Sequence, residues 1–375
     1  MTETPTVFVA FGVTGDLMKQ KILPALFQLH LKNELPDGFE ILGVSRREWD
    51  DEILRTHVSH ALGNKADLES FLARLSFVKG DITDDQLFAQ LAEKIGARSA
   101  ILYFSLSPAL YADAFTRLVA SPLAAKAKQL RLMIEKPFGS DEMTARELHS
   151  ILSSAFQEPY VFRVDHYLAK EALFNVPSTD PGVIKKIEVY FMETSGVETR
   201  GESYDSVGAL RDVGQNHMLE MLATALNNTN REQILKELHV LMPREVAAHT
   251  VRAQYEGYPL IPGVASQSQT ETYFKLRTTY RNIEVVLEGG KRLGLNRKEV
   301  IFTHENGSTH ILTVGENVVR TEYERLVHDC MKGDQTLFVS IREVMALWHF
   351  IDPIVRAWRK EMVPLKLYPL GAEEV

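Results

Sequence analysis

The first third of the chain alternates short apolar runs with segments of helical periodicity. Thr6–Phe11 is rich in β-branched and aromatic residues and predicts a buried strand, and Met18–His30 predicts an apolar helix. Further strands are predicted at Phe39–Val44, Leu75–Val78, Ser99–Phe104 and Leu130–Ile134, with helical patterns such as Pro108–Ala120 between them. This alternation is typical of a Rossmann-like, doubly wound parallel sheet.

The pattern changes from Val183 onward, where the strands become longer and alternate in character. A mostly antiparallel sheet with helices on one face is the simplest arrangement for such strands. The predicted strands are Val183–Glu193, Thr270–Tyr280, Asn282–Glu288, Glu299–His304 and His310–Val314, and an apolar helix is predicted at Met218–Leu226. We expect two domains, a cofactor-binding domain over residues 1–162 and an α+β substrate-binding and oligomerisation domain over residues 163–375.

Composition and charge narrow the class of protein. Hydrophobic residues make up 45% of the chain and charged residues 25%, which is typical of a globular protein. No apolar run reaches the roughly 20 residues that span a bilayer, and the single cysteine, Cys330, fits a reducing compartment. We therefore expect a cytoplasmic protein without a membrane partner. The formal charge of −8 argues against nucleic-acid binding.

A glycine-containing turn follows the first predicted strand. Gly12 and Gly15 occupy the second and third glycine positions of a dinucleotide-binding fingerprint, while Ala10 stands at the first. Such a turn lets a pyrophosphate approach the N-terminus of the following helix. The candidate cofactor-binding residues of the turn are Gly12, Thr14, Gly15, Asp16 and Leu17.

The residues that follow the second predicted strand indicate which nicotinamide cofactor is preferred. Arg46 suits a 2′-phosphate through charge-assisted hydrogen bonds, which favours NADP. Glu48 could serve a free 2′-hydroxyl instead, so NAD stays possible. Two later strand ends offer further ligand-facing groups, because ligands of open α/β sheets lie at the carboxyl ends of strands. These groups are Ser105 and Lys136, and the bond from Lys136 to Pro137 is an X-Pro bond that can adopt the cis form.

The densest set of chemical groups is the ten-residue stretch Phe162–Glu171. If this stretch is helical from about Asp165, His166 and Lys170 share one face and form a cationic pair suited to a phosphate monoester, with Tyr167 beside them. A solvated helix start capped by Asp165 is the alternative. Farther along, Asp212 and His217 are five residues apart, so they need not share a helix face, and a histidine at the start of an apolar helix is more often structural than catalytic.

Four polar motifs, in this order and with this spacing, resemble the glucose-6-phosphate dehydrogenase family. Further matches are Gly290-Lys291, Tyr323–Leu326 and Trp348, so the resemblance runs from about residue 6 to about residue 355. The motifs are the turn Gly12–Leu17 with Lys19 and Lys21, Glu135–Gly139, Arg163–Glu171 and Arg211–His217.

The resemblance implies a role for each matching residue. His217 matches the general base that takes the proton of the C1 hydroxyl, and Asp165 matches the carboxylate that orients it. Lys136 matches a lysine that touches both sugar and nicotinamide. Arg46 matches the arginine that binds the 2′-phosphate of the cofactor. His166, Tyr167 and Lys170 match the sugar-phosphate site, and Glu193, Asp212 and Lys291 match groups that hold sugar hydroxyls. The implied reaction oxidises β-D-glucose 6-phosphate to 6-phosphogluconolactone with NADP, the first step of the oxidative pentose phosphate pathway, and needs no metal.

The chain departs from the family pattern at several points. It is shorter, notably over Ala172–Gly182, and Ala169 replaces a glycine of the phosphate motif. The C-terminal stretch Leu365–Val375 is shorter than the family pattern, which puts in doubt a second, structural NADP site and the family's usual oligomer. A homodimer or homotetramer through the C-terminal sheet is the expected assembly. Gly257–Gln269 is predicted to be a long polar loop, with a lid as one possible role.

Two alternatives stay open at this point. One is another NADP-dependent sugar dehydrogenase of the glucose-fructose oxidoreductase type, which also uses a Glu-Lys-Pro segment. The other is a non-catalytic NADP-sensing protein on the same fold, because a fold does not fix a function. Retention of His217, Asp165 and Lys136 together argues against the second.

Overall fold

A computed structural model describes residues 4–173 and 184–375. The chain forms two compact units. Unit 1 consists of Met1–Ala169 and Val318–Ile341, and unit 2 of Lys170–Asn317 and Arg342–Val375. The division into contiguous domains at residues 162 and 163 stays a prediction. None of the helices in the described part of the chain combines the length and the hydrophobicity that a bilayer span requires.

The strands and helices are numbered in chain order over the described residues. The strands are β1 (Val7–Phe11), β2 (Glu40–Ser45), β3 (Leu75–Lys79), β4 (Ala100–Phe104), β5 (Leu130–Ile134), β6 (Val161–Val164), β7 (Ile184–Met192), β8 (Thr250–Tyr255), β9 (Tyr273–Tyr280), β10 (Ile283–Gly290), β11 (Arg297–His304), β12 (Thr309–Thr313), β13 (Phe338–Val339) and β14 (Leu365–Tyr368). The α-helices are α1 (Leu23–Leu31), α2 (Asp51–Leu62), α3 (Leu68–Leu72), α4 (Asp85–Ile95), α5 (Tyr111–Ala120), α6 (Glu142–Ser153), α7 (Gly201–Asp205), α8 (Leu219–Asn227), α9 (Arg231–Lys236), α10 (Pro243–His249), α11 (Glu322–Lys332) and α12 (Ile341–Arg359). Two segments, Met18–Ile22 and Leu210–Met218, are π-helical.

Unit 1 is built on a sheet with the strand order β13-β6-β5-β4-β1-β2-β3. All of its pairs are parallel except β13 with β6. Every residue of β1, β4 and β5 is buried, as expected for central strands covered by helices on both faces. The predicted doubly wound, Rossmann-like sheet is therefore confirmed, and its predicted strands lie within one or two residues of those observed.

Unit 2 is built on a sheet with the order β12-β11-β7-β10-β9-β8-β14. Its pairs are antiparallel except β7 with β10 and β8 with β14, which confirms the mostly antiparallel prediction. The pattern analysis missed β8 and β14. Because β7 and β10 run parallel, their carboxyl ends lie at the same edge of the sheet, and the π-helical segment Leu210–Met218 packs against both strands.

The predicted loop Gly257–Gln269 is anchored to unit 2 by one carboxylate, that of Asp205. Its Oδ1 accepts hydrogen bonds from the Tyr258 hydroxyl at 3.0 Å and from the Ser268 hydroxyl. Its Oδ2 accepts a bond from the backbone N–H of Ala265 at 3.1 Å. Asp205 alone therefore holds the loop at three points in this structure, which does not favour a freely moving lid.

Candidate active site

The glycine turn after β1 is packed tightly against the end of β4. Gly12 has a φ of +78°, and a Cβ at this position would lie 2.4 Å from the carbonyl oxygen of Ser105. Only glycine accepts both the backbone conformation and the close approach. Gly15 closes the turn by donating its N–H to the Gly12 carbonyl at 2.9 Å. Two predicted cofactor-binding residues, Gly12 and Ser105, are thus in contact, while Asp16 and Leu17 begin the following helix.

The end of β2 places an exposed cation, Arg46, next to this turn. Thr14 Oγ1 lies 3.5 Å from Ser45 Oγ, and Arg46 follows with a side chain that is 80% exposed. The guanidinium of Arg46 lies 3.8 Å from Asp81, a contact too exposed to contribute much. Glu48, the group that could have served a free hydroxyl, forms an ion pair with Lys79. The arrangement suits the predicted 2′-phosphate contact of Arg46.

Glu135 and Lys136 follow β5, and the Lys136–Pro137 peptide bond is cis. Lys136 is half-buried, whereas Glu135 is buried. The Glu135 carboxylate accepts a hydrogen bond from the Tyr103 hydroxyl at 2.7 Å. Burial raises the pKa of Glu135 to about 7, against the lowering effects of the phenols of Tyr103 and Tyr323 and of Lys136. The sequence analysis gave no role to Glu135 or Tyr323, although both stand in motifs that it identified.

The stretch after β6 is not an α-helix, the form in which His166 and Lys170 would share one face. His166–Ala169 and Glu171–Leu173 form short 3₁₀ turns that are interrupted at Lys170. A 3₁₀ turn has three residues per turn, so residues four apart do not share a face. The condition on which His166 and Lys170 would share a face is therefore not met in this stretch. Asp165 is buried, and its Oδ1 caps the first turn by accepting the N–H of Tyr167 at 2.9 Å.

His166 and Tyr167 belong to unit 1, whereas Lys170 belongs to unit 2. The imidazole of His166 lies parallel to the ring of Tyr323, with 5.8 Å between centroids and 19° between planes. The buried ammonium group of Lys170 lies 3.5 Å from the carboxylate of the exposed Glu316. Most of the shortened stretch Ala172–Gly182 lies outside the described residues.

Three predicted substrate-binding residues form one cluster in unit 2. Lys291 Nζ lies 2.7 Å from Glu193 Oε2 and 3.5 Å from Asp212 Oδ2. Glu193 directly follows β7 and Lys291 directly follows β10, so the parallel pairing of these strands brings the two together. Burial tends to raise the pKa of Glu193, but Lys291 and then Lys298 outweigh it, and the pKa is lowered. The cluster therefore presents fixed charges suited to sugar hydroxyls.

His217 lies in the π-helical segment Leu210–Met218, which also carries Asp212. Hydrogen bonds of a π-helix join residues five apart, so these two residues lie on about the same side of the segment. The His217 side chain is buried, and its ring lies parallel to that of Phe191 with 5.9 Å between centroids. Its backbone N–H donates to Asn216 Oδ1 at 2.7 Å. Periodicity alone had left open whether Asp212 and His217 share a face.

Two protein-family models together match almost the whole sequence. "Glucose-6-phosphate dehydrogenase, NAD binding domain" matches residues 9–175. "Glucose-6-phosphate dehydrogenase, C-terminal domain" matches residues 172–319 and 308–374.

Curated relatives agree with these matches. The glucose-6-phosphate 1-dehydrogenase of Treponema pallidum is 31% identical over an alignment that covers 99% of this chain and 92% of the relative. That of Gluconobacter oxydans is 29% identical, with 98% and 94% covered. The first alignment spans 474 residues whereas this chain has 375, so the relative contains stretches without a counterpart here.

Solved structures show the same fold. The glucose-6-phosphate 1-dehydrogenase of Mycobacterium avium has a TM-score of 0.84 at 27% identity, covering 99% of this chain and 95% of that one. A glucose-6-phosphate dehydrogenase in complex with its substrate glucose-6-phosphate has a TM-score of 0.87, at 24% identity and with 100% and 96% covered. A 3-ketoreductase from Actinomadura kijaniata, at 12% identity with 97% and 100% covered, has a TM-score of 0.58 and shares the fold alone.

Proposed function

Because this chain belongs to the glucose-6-phosphate dehydrogenase family, we propose that it oxidises β-D-glucose 6-phosphate at C1 to 6-phosphogluconolactone with NADP. The observation that carries this proposal is the cluster in which Lys291, after β10, pairs with Glu193, after β7, and with Asp212 of the π-helical segment. A polyhydroxylated substrate needs several fixed donors and acceptors in one place. The cluster supplies them beside the segment that carries His217.

The residues of unit 1 fit the nicotinamide cofactor. The glycine turn after β1 has no side chain at Gly12 or at the exposed Gly15, and the exposed Arg46 could supply the cation that a 2′-phosphate needs. Gly12, Thr14, Gly15, Asp16, Leu17, Ser105 and Lys136 would hold the rest of the cofactor. When bound, the cofactor supplies the hydride acceptor for the reaction.

The roles of the remaining residues follow from the chemistry of the sugar. We assign His217 as the general base that removes the proton of the C1 hydroxyl, and Asp165 as the carboxylate that orients it and stabilises its protonated form. Lys136 would bind the sugar near its reacting carbon. The phosphate is assigned to His166, Tyr167 and Lys170, and the hydroxyls to Glu193, Asp212 and Lys291. The buried state of Asp165 and His217 supports these roles, because buried polar groups are held in fixed orientations.

The finer points of assembly and location are proposals as well. We assign a homodimer or homotetramer that forms through the sheet of unit 2, and a cytoplasmic location that fits the single, buried Cys330. The apolar side chains of Ile311 and Leu367, which are 52% and 68% exposed on the edge strands β12 and β14, support an interface at this sheet. Light scattering of the purified chain measures its assembly.

The first experiment compares glucose 6-phosphate with glucose, and NADP with NAD, in all four pairings, by the absorbance of the reduced nicotinamide. Preference for the phosphorylated sugar with NADP is the expected result. Activity with free glucose alone would favour a sugar dehydrogenase of the glucose-fructose oxidoreductase type. Tight NADP binding without turnover of either sugar would favour the sensing role.

The base assignment has its own test. We expect His217→Ala to lower kcat by roughly 10² to 10⁴ without weakening NADP binding, because a general base acts only on the chemical step. His239→Ala is the matched control, since His239 also lies in unit 2 but is exposed and pairs with Glu245. A His217→Ala chain that keeps kcat within about threefold of the parent contradicts the assignment.

A further inference from the structure

The backbone of Lys291 is held by hydrogen bonds on both sides. Its N–H donates to the Thr272 carbonyl at 3.0 Å, and its carbonyl accepts a bond from the Tyr368 hydroxyl at 2.6 Å. The same hydroxyl lies 2.9 Å from the hydroxyl of Thr272 and 3.3 Å from its carbonyl oxygen, so the bond to Lys291 is the shortest of the three. Lys291 and Tyr368, which ends β14, are both buried, so losing this bond would leave a buried carbonyl without that partner.

The side chain of Lys291 has two kinds of partner. Its ammonium group pairs with Glu193 and Asp212, and it also lies over the ring of Tyr204, 5.5 Å from the centroid. A cation within about 6 Å of an aromatic face is attracted to that face. The hydroxyl of Tyr204 is buried and has no hydrogen-bond partner within the described part of the chain. The ring of Tyr204, and not its hydroxyl, therefore acts on Lys291.

We propose that Tyr368 and Tyr204 are positioning residues for Lys291: Tyr368 fixes its backbone, and the ring of Tyr204 fixes the direction of its ammonium group. The inference rests on the proposed function, because that function assigns Lys291 to the hydroxyls of the sugar. Neither tyrosine has to touch the substrate. All three residues lie in unit 2, so we expect an effect on sugar binding and none on the cofactor-binding residues of unit 1.

Tyr273 offers an internal comparison. It belongs to the same core cluster as Tyr368, and its hydroxyl also donates a buried hydrogen bond, at 2.7 Å, but to Glu288. Glu288 keeps a second partner, Lys275, at 2.8 Å. If the tyrosine hydroxyls of this cluster only stabilise the fold, Tyr368 and Tyr273 are equivalent. If Tyr368 positions Lys291, only Tyr368 affects sugar binding.

The first test compares Tyr368→Phe with Tyr273→Phe in the full chain, by steady-state kinetics and thermal unfolding. For Tyr368→Phe we expect the KM for glucose 6-phosphate to rise roughly three- to tenfold, the effect of one hydrogen bond. Its kcat and its affinity for NADP should stay within about twofold of the parent, because Lys291 is assigned to sugar binding and not to the chemical step. Tyr273→Phe should lower the unfolding midpoint by a similar amount but leave the KM within about twofold.

The second test separates the ring of Tyr204 from its hydroxyl. Tyr204→Phe keeps the ring and should leave the KM within about twofold of the parent, whereas Tyr204→Leu removes the ring and should raise the KM roughly three- to tenfold. If Tyr204→Leu does not fold, the comparison of Tyr368→Phe with Tyr273→Phe decides the inference by itself.

Three results overturn the inference: an unchanged KM in Tyr368→Phe, equal KM shifts in Tyr368→Phe and Tyr273→Phe, or equal KM shifts in Tyr204→Phe and Tyr204→Leu. Each of them leaves the proposed function standing, because the parent chain still oxidises glucose 6-phosphate. A parent chain that does not oxidise glucose 6-phosphate overturns the proposed function and this inference with it.

Discussion

Glu135 in unit 1 and Glu193 in unit 2 each follow directly after a strand, yet their surroundings are opposite. Glu135 faces two phenols, and burial raises its pKa to about 7. Glu193 faces Lys291 and Lys298, whose charges overcome its partial burial and lower its pKa. One glutamate can therefore hold its proton near neutral pH while the other stays ionised. The residue type does not set the charge; the neighbouring elements do.

The largest effect is expected when the cation that Glu193 and Asp212 share is removed. Lys291→Met would leave Glu193 and Asp212 without their shared cation, and we expect a loss of about 3 kcal/mol in unfolding free energy, because breaking a buried ion pair strands a charge. The KM for glucose 6-phosphate should rise by more than about tenfold.

Thermal unfolding and steady-state kinetics measure both effects. Lys298→Met is the matched control, because Lys298 lies 3.4 Å from the same Glu193 carboxylate but its side chain is 32% exposed. If Lys298→Met costs as much stability as Lys291→Met, the cluster does not depend on the buried cation.

Glu135→Gln should produce a stability difference that grows with pH. The folded chain holds the Glu135 proton up to about pH 7, whereas an ordinary carboxyl releases it near 4.5. Raising the pH through this window therefore destabilises the parent but not the variant, by up to about 3 kcal/mol at about pH 8. The charged and titratable neighbours are Tyr103, Tyr323, Lys136 and Asp165.

Unfolding midpoints of parent and variant between about pH 5 and pH 8 check this prediction. Glu193→Gln tests the opposite case. The lowered pKa of Glu193 stabilises the folded parent at pH values above 4.5, the ordinary pKa of this carboxyl, and this stability is lost as the pH falls through the pKa of the folded state. Glu193→Gln should therefore differ most from the parent near neutral pH and least in acid. Parallel pH profiles for the two variants would contradict the comparison.

The third prediction concerns a region of unit 1 where backbone contact, not charge, is decisive. Gly12→Ala would place a methyl group 2.4 Å from the Ser105 carbonyl at a φ of +78°, and we expect a loss of about 1–3 kcal/mol and weaker NADP binding. Gly38→Ala is the control, since Gly38 has a similar φ of +67° but no atom within 4 Å of the added carbon. Equal losses would mean that the backbone angle alone matters.

The smallest effect is expected at the 2′-phosphate contact. Arg46→Ala should weaken NADP roughly tenfold relative to NAD, the effect of one exposed charge-assisted contact, and leave the unfolding midpoint almost unchanged. Arg47→Ala is the control, because the guanidinium of Arg47 lies over the ring of Trp49. Fluorescence titration with both cofactors measures the ratio, and an unchanged ratio for Arg46→Ala contradicts the NADP assignment.

The sequence by itself determined the local parts of this protein. The first strand, the glycine turn and the succession of parallel strands depend on short-range pattern and backbone conformation, so they could be predicted within a few residues. The polar motifs around Lys136, Asp165 and His217 also indicated the family, because their order along the chain is a property of sequence alone.

Only the tertiary structure decided how distant residues meet. The pair of Lys291 with Glu193 depends on the parallel pairing of β7 with β10, and the ring contact of Tyr323 with His166 joins residues far apart in the chain. Periodicity also left the local helix type open, which the structure gives as 3₁₀ turns from His166 onward and as a π-helical segment that carries both Asp212 and His217. Long-range strand pairing and packing set these contacts, and no short window of sequence contains that information.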